Sequence, residues 1–203
     1  MSASNDSPIL FPDTSPRIAL PRKTERLLLR PYLSEDADAF YAYVSDAVTV
    51  RFEPYPPLDR AEAEAELAGR ISNPDFIAIC LPPDETHPFG HVIGHLFFSP
   101  CAFSTWEIGW MLHREYWHNG YAVEAASAAI GAAFADGIAH RVIAMCNPEN
   151  TASVHLAQRL GMRHEGTLVR NLWFTRSNTG EPIWLDTAMY AILAEEWNTT
   201  TTN

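Results

Sequence analysis

Hydrophobic positions recur along this chain with two periods, and the change from one to the other marks out its elements. Thr24–Arg30 is a short apolar run stopped by Pro31 and predicts a first strand. Ser34 is expected to cap a helix whose first turn holds Glu35 and Asp36, favourably placed against the helix dipole. Ala37, Phe40, Tyr41 and Val44 then share one face. Pro54, Pro56 and Pro57 interrupt the chain, and Asp59 with Glu62 resembles a capping box for a second helix ending near Ile71. Phe76–Leu81, His91–Ser99 and Trp106–Leu112 follow as three strands with short connections, an antiparallel meander. Tyr121–Asp136 is the strongest helical pattern. Ala122, Ala125, Ala126, Ala129, Ile130 and Ala133 give it a small-residue face that can sit close to a sheet, and Gly137 ends it. Val142–Cys146 reads as a buried strand. Asn150 caps a short helix reaching Leu160 and closed by Gly161. Two last strands, about Thr167–Phe174 and Trp184–Ile192, flank the turn residues Ser177–Gly180. These elements predict an α+β fold with one mixed sheet.

Residues 1–21, rich in Ser, Pro and Asp, are expected to be an irregular lead-in, 22–197 a single domain and 198–203 a tail. A length of 203 residues with 47% hydrophobic positions is ample for one core. The formal net charge of −11 repels a phosphate backbone, which argues against nucleic-acid binding. The same field attracts cations, an unreacted amine among them. Cys80, Cys101 and Cys146 make no pair pattern and suit a reducing compartment. No apolar run suits a signal peptide or a membrane span, so the chain reads as soluble and cytoplasmic, with no membrane partner.

The segment Trp106–Phe134 carries the candidate chemistry. A strand ends near Leu112, a polar and aromatic loop follows, and Gly120 opens a helix. Helix N-termini present unpaired N–H groups and partial positive charge, so they suit anions. Gly120 and Ala122 leave the turn uncrowded, although a glycine before a helix is often only structural. Trp117-His118-Asn119-Gly120-Tyr121-Ala122 resembles the diphosphate motif Q/R-x-x-G-x-G/A of the GNAT superfamily of acetyltransferases. Trp117 stands where Gln or Arg is usual, as in the branch of ribosomal-protein N-terminal (RimJ/RimL-type) acetyltransferases. His118-Asn119 replaces the Gly-Lys common in that branch. Asn147–Ser153 with Leu160-Gly161-Met162 resembles the family's N-x-x-S helix. Glu25–Pro31 and Tyr190–Trp197 also resemble this branch, so the likeness spans about residues 24–197.

The resemblance implies a GNAT-like, mostly antiparallel sheet flanked by about four helices, and an enzyme moving acetyl from acetyl-CoA to a primary amine. The acceptor would be a protein N-terminus or a small amine, and the protein a monomer or homodimer. The loop Trp117–Ala122 would hold the diphosphate, Asn150 would lie beside the coenzyme, and main-chain groups of Trp110, Met111 and Leu112 would pair with pantetheine as an added strand does. A backbone N–H there would stabilise the oxyanion, a donor typically worth about 3–4 kcal/mol. Direct attack needs a base and an acid. Glu107, between Trp106 and Ile108, is the candidate base; its alternative is a carboxylate on a half-buried strand. Ala157 occupies the place of the tyrosine acid of many relatives, and the resemblance passes that role to Ser153, which otherwise belongs to an Asn150-capped helix start. A silent acyl-CoA-binding module and a longer acyl donor are the other readings.

His87, His91 and His95 are four apart, but Pro88, Gly90 and Gly94 forbid a shared helix, so no metal site is expected. Trp106, Trp110, Trp117, Trp173 and Trp184 read either as core or as an aromatic acceptor pocket. Ala61–Leu67 reads as a solvated helix face.

Overall fold

The alternating runs build the sheet they predict, in a computed structural model that describes residues 16–200, with side chains to Trp197. Residues 1–15 and 201–203 lie outside the described part, so the expectations for the start of the lead-in and the end of the tail fall beyond it. The strands are β1 (Arg22–Lys23), β2 (Leu28–Arg30), β3 (Phe76–Cys80), β4 (Val92–Pro100), β5 (Thr105–Leu112), β6 (Arg141–Cys146), β7 (Arg163–Arg176) and β8 (Pro182–Leu193). The helices are α1 (Ala37–Val44), α2 (Arg60–Ser72), α3 (Tyr121–Ala135), α4 (Thr151–Arg159) and α5 (Ala194–Thr200). One eight-stranded sheet runs β1-β2-β3-β4-β5-β6-β8-β7, antiparallel except where β5 meets β6.

Three expectations need correcting. Thr24–Arg30 is not one strand: Thr24 N–H donates to the Leu27 carbonyl at 2.9 Å, and the Thr24 hydroxyl accepts the Leu27 N–H at 3.0 Å. That local side-chain bond turns the chain, leaving Leu28–Arg30 to pair with β3. Ser34 does not cap α1. Ser34–Asp36 forms a 3-10 turn, and the Asp36 carboxylate accepts the Leu33 N–H at 2.7 Å while pairing with buried Arg30. A tertiary partner outweighs the dipole. The final strands are longer than predicted because β7 and β8 pair with each other far beyond the sheet, β8 joining β6 only from Ala188. Helix α5 was not predicted, its sequence being mostly polar. The capping box of α2 forms as expected: Asp59 accepts from Glu62 N–H and Glu62 from Asp59 N–H, both at 2.9 Å.

Each face of the sheet has its own core. Trp106, Ile108 and Leu112 of β5 pack with the alanine face of α3, with Ala157 and Leu160 at α4, and with Tyr190 of β8. Met111 points the other way, into Phe40, Tyr43, Val44 and Leu67 of α1 and α2. Period-two alternation thus sends neighbouring residues of β5 to opposite layers. Gly94 sets how close β4 and β5 come at the end of β5. A Cβ there would lie 2.1 Å from the Met111 carbonyl oxygen and 2.7 Å from Leu112 Cδ2. Gly94→Ala is therefore expected to lower stability by about 3 kcal/mol, at the upper end of ordinary overpacking. A urea midpoint equal to that of the wild type would contradict this.

Candidate functional site

β5 and β6 share only the rungs Thr105↔Arg141, Trp106↔Val142 and Glu107↔Ile143. Beyond them β5 stays with β4 as far as Gly94↔Leu112, and β6 stays with β8 as far as Cys146↔Ala188. The two strands part, and a notch opens between Ile108–Leu112 and Ala144–Cys146. The hydrogen-bond phase of β5 follows from its ends: His113 N–H donates to Ile93 O at 2.9 Å, and Cys101 N–H to Thr105 O at 2.7 Å. Odd-numbered residues of β5 therefore bond to β4, and even-numbered ones turn towards β6. Trp110 and Leu112 direct main-chain groups into the notch, whereas Met111 directs its own to His95. The Leu112 carbonyl already accepts the Trp117 indole N–H at 2.7 Å. Trp117, where the motif usually has Gln or Arg, ties the loop back to the strand it leaves.

The loop then enters α3 through a turn with alternate left-handed residues, His118 at φ 62° and Gly120 at φ 79°. Such alternation makes successive N–H groups converge on one side, a concavity suited to anions. Among the described residues no side chain caps α3, and its first main-chain bond from Gly120 is the one that Glu124 N–H donates to Gly120 O at 3.0 Å. The N–H groups of Tyr121, Ala122 and Val123 are thus left at the helix mouth. Asn119 braces the turn from within, its side-chain amide donating to the carbonyls of Tyr116 and Trp117 at 3.3 and 3.0 Å.

A strand pair that splays beside an open helix mouth invites comparison with known proteins. Residues 26–163 match the family model "Acetyltransferase (GNAT) domain". The chain belongs to the GNAT acetyltransferase family. The uncharacterized N-acetyltransferase YnaD of Bacillus subtilis (strain 168) is 34% identical over 176 residues, 86% of this chain and 98% of YnaD. A GNAT-family acetyltransferase structure from Bacillus anthracis superposes with a TM-score of 0.74 at 30% identity, covering 85% of this chain and 98% of that one. RimL, a ribosomal L7/L12 α-N-protein acetyltransferase solved with coenzyme A, gives 0.69 at 18% identity over 85% and 97% of the two chains, a likeness that bears on fold alone.

In this GNAT enzyme, Glu107 and Ser153 lie on opposite faces of the sheet. Glu107 shares the α1–α2 side with Met111 and stands in the last rung, Glu107↔Ile143, before the notch opens. Burial raises its carboxyl above the ordinary value. Ser153 sits in the first turn of α4, where Asn150 Oδ1 accepts its N–H at 3.2 Å. Its hydroxyl oxygen accepts the Trp110 indole N–H at 3.1 Å. With that lone pair occupied, the hydroxyl retains its own proton to donate. Ala157 is fully buried in α4. The tryptophans do not form one pocket: Trp106 is core, with its N–H on Ile138 O at 3.1 Å. Trp110 and Trp117 frame the notch, and the cross-strand pair Trp173↔Trp184 is exposed on the β7–β8 hairpin.

Sequence reasoning missed two groups. Arg26 and Glu124, 98 residues apart, clasp the turn before α3, and nothing in either segment advertises the other. Glu53, in the connection from α1 to α2, has its carboxyl pushed up to about 6 by burial, against the opposing pull of Arg70. Its signal was drowned among the acidic residues of the neighbouring helix. His95, set aside as a metal ligand, is buried on β4 between the Tyr43 hydroxyl at 3.2 Å and the Arg70 guanidinium at 3.1 Å. Burial, then the Arg70 charge, holds its pKa well below the usual value, so it is neutral near pH 7.

Proposed function

We propose that this enzyme transfers acetyl from acetyl-CoA directly to a primary amine, with a protein N-terminus or a small amine as acceptor. One observation carries the reading: a notch in the sheet with a candidate base on one face and a candidate proton donor on the other. Acetyl-CoA supplies an activated acyl group in its thioester. The residues present fit such a molecule, since a Cβ at Gly120 would meet only the Arg26 side chain, at 3.5 Å, and main chain is accessible along the turn. N–H groups of Gly120–Val123, with His118 and Asn119 shaping the turn, would hold the diphosphate. Trp110 and Leu112 would hold the pantetheine arm and polarise the thioester carbonyl, while Met111 anchors their strand to β4.

The amine then arrives from the α1–α2 face. Glu107 removes its proton, directly or through a water, before or during attack. Ser153, held by Trp110 and Asn150, hydrogen-bonds the departing sulfur from the α4 face and passes it a proton that solvent restores to the serine oxygen. An amine nucleophile and a thiolate leaving group both sit on the wrong side of their pKa values for this reaction near neutrality, so both transfers are needed. The chain's acidity, including Glu53 beside the α1–α2 connection, favours a cationic acceptor over an anionic one. Among the described residues no helix is long and apolar enough to cross a membrane.

Release of free thiol from acetyl-CoA in the presence of a panel of peptides and small amines tests the assignment. Turnover should depend on the amine; thiol release with no amine dependence would overturn it. Gly120→Val tests the cradle. A β-branched residue at positive φ costs about 1–2 kcal/mol, so calorimetry should show CoA affinity reduced roughly tenfold or more. Unchanged affinity would place the diphosphate elsewhere.

A further inference from the structure

We propose that Arg26, in the turn between β1 and β2, is the positioning residue that aims the Gly120 N–H at the coenzyme diphosphate. The inference rests on the cradle reading above and adds to it a residue outside the motif. Arg26 reaches the α3 mouth from a segment remote in sequence. Its Nη1 donates to the Asn119 carbonyl at 2.9 Å, and its Nε to Glu124 Oε2 at 2.7 Å. Its guanidinium also lies over the Tyr121 ring, 4.8 Å from the centroid. Glu124 is held in turn by the Arg26 N–H at 2.8 Å and the Thr24 hydroxyl at 2.6 Å. Burial alone would raise the Glu124 carboxyl, but these hydrogen bonds outweigh it and keep the group below its ordinary value. One guanidinium thus spans the carbonyl before Gly120, the ring after it and the carboxylate of the first α3 turn.

Two consequences follow from elementary geometry and charge. The Asn119 carbonyl and the Gly120 N–H belong to one trans peptide, so they point in opposite directions. Fixing the carbonyl on Arg26 turns the N–H away from Arg26, towards the open side of the turn. Gly120, with φ 79°, has little intrinsic preference of its own between conformers, so an external strut is what selects this peptide orientation. The second consequence is electrostatic. An unpaired Glu124 carboxylate beside the helix mouth would repel a diphosphate; Arg26 neutralises it. The turn has His118-Asn119 and no lysine, so cancelling the Glu124 charge leaves the main-chain N–H groups of the helix mouth to meet the diphosphate.

The test compares CoA with pantetheine, which lacks the diphosphate, by tryptophan-fluorescence titration of the full chain. The Arg26 side chain is 45% exposed, and its backbone N–H bond to Glu124 survives substitution, so Arg26→Gln should fold with an unchanged melting temperature. It should weaken CoA about tenfold and leave pantetheine affinity as in the wild type. Arg26→Lys, which can meet the Asn119 carbonyl or Glu124 but not both, should fall between. Equal loss for both ligands would assign Arg26 a general structural role, and unchanged CoA affinity would assign it none; either result overturns the inference while leaving the cradle intact. Wild-type protein that binds pantetheine as tightly as CoA would instead sink the cradle reading itself.

Discussion

Glu107→Gln is expected to lower kcat by about 10²–10⁴, the range typical of a lost general base, while leaving CoA affinity unchanged. The isostere keeps the shape of the strand and removes only the ability to take a proton. The pH profile supplies the sharper signature. Burial raises the Glu107 carboxyl, so its basic form is depleted at a higher pH than for an ordinary carboxylate. The acidic limb of kcat/KM should therefore lie above the usual carboxylate range and disappear in the variant. Stability should move the opposite way. A group that binds its proton more tightly when folded favours the native state below its unfolded pKa and loses that contribution as pH rises through the folded pKa. Near neutrality the ionised, half-buried carboxylate is then a liability, and Glu107→Gln should be no less stable than the wild type. A variant that keeps both turnover and the acidic limb would remove Glu107 from the mechanism. If Glu53→Gln abolished the limb instead, the base would be Glu53, whose carboxyl is also pushed up, to about 6.

Asp36→Ala is expected to cost about 3–5 kcal/mol in folding stability, the range for breaking a buried ion pair on one side. Arg30 and Asp36 have side chains only 7% and 6% exposed. They meet as a two-pronged pair: Nη1 to Oδ2 at 2.8 Å and Nη2 to Oδ1 at 2.7 Å. Arg30 also donates to the Phe89 and Pro31 carbonyls, at 2.8 and 2.9 Å, so it joins β2, the start of α1 and the loop before β4. Deleting the carboxylate strands a charge in a low-dielectric site. Arg30→Met combined with Asp36→Leu leaves no such charge, and the double variant should be more stable than Asp36→Ala alone. Urea unfolding measures both. A loss below about 1 kcal/mol for Asp36→Ala, the scale of an exposed pair, would show that water reaches this site.

Much of the architecture was legible because local periodicity and local chemistry agreed with the final fold. The meander from Phe76 to Leu112 follows its alternation, the α2 capping box forms from Asp59 and Glu62 themselves, and the α3 alanine face packs as its spacing predicts. The places where reading failed are those where a specific side-chain partner overrode the periodic pattern. Ser34 lost the cap because Asp36 found Arg30, and the Thr24–Arg30 run bent because a threonine hydroxyl captured Leu27. The β7–β8 hairpin outgrew its predicted ends because each strand offers the other a ladder that no local pattern records.

The candidate site divides along the same line. Chain order alone placed Gly120 at a helix mouth, Glu107 on the strand before it and Asn150 three residues ahead of Ser153, since each depends on neighbours a few positions away. Only the fold could separate β5 from β6 after Glu107, set Glu107 and Ser153 on opposite faces, direct Met111 to β4, and bring Arg26 against Asn119. Those features depend on pairings between segments tens of residues apart. The rise per residue and the side-chain period fix what lies along one element; the packing of elements against each other fixes what lies across the gap between them.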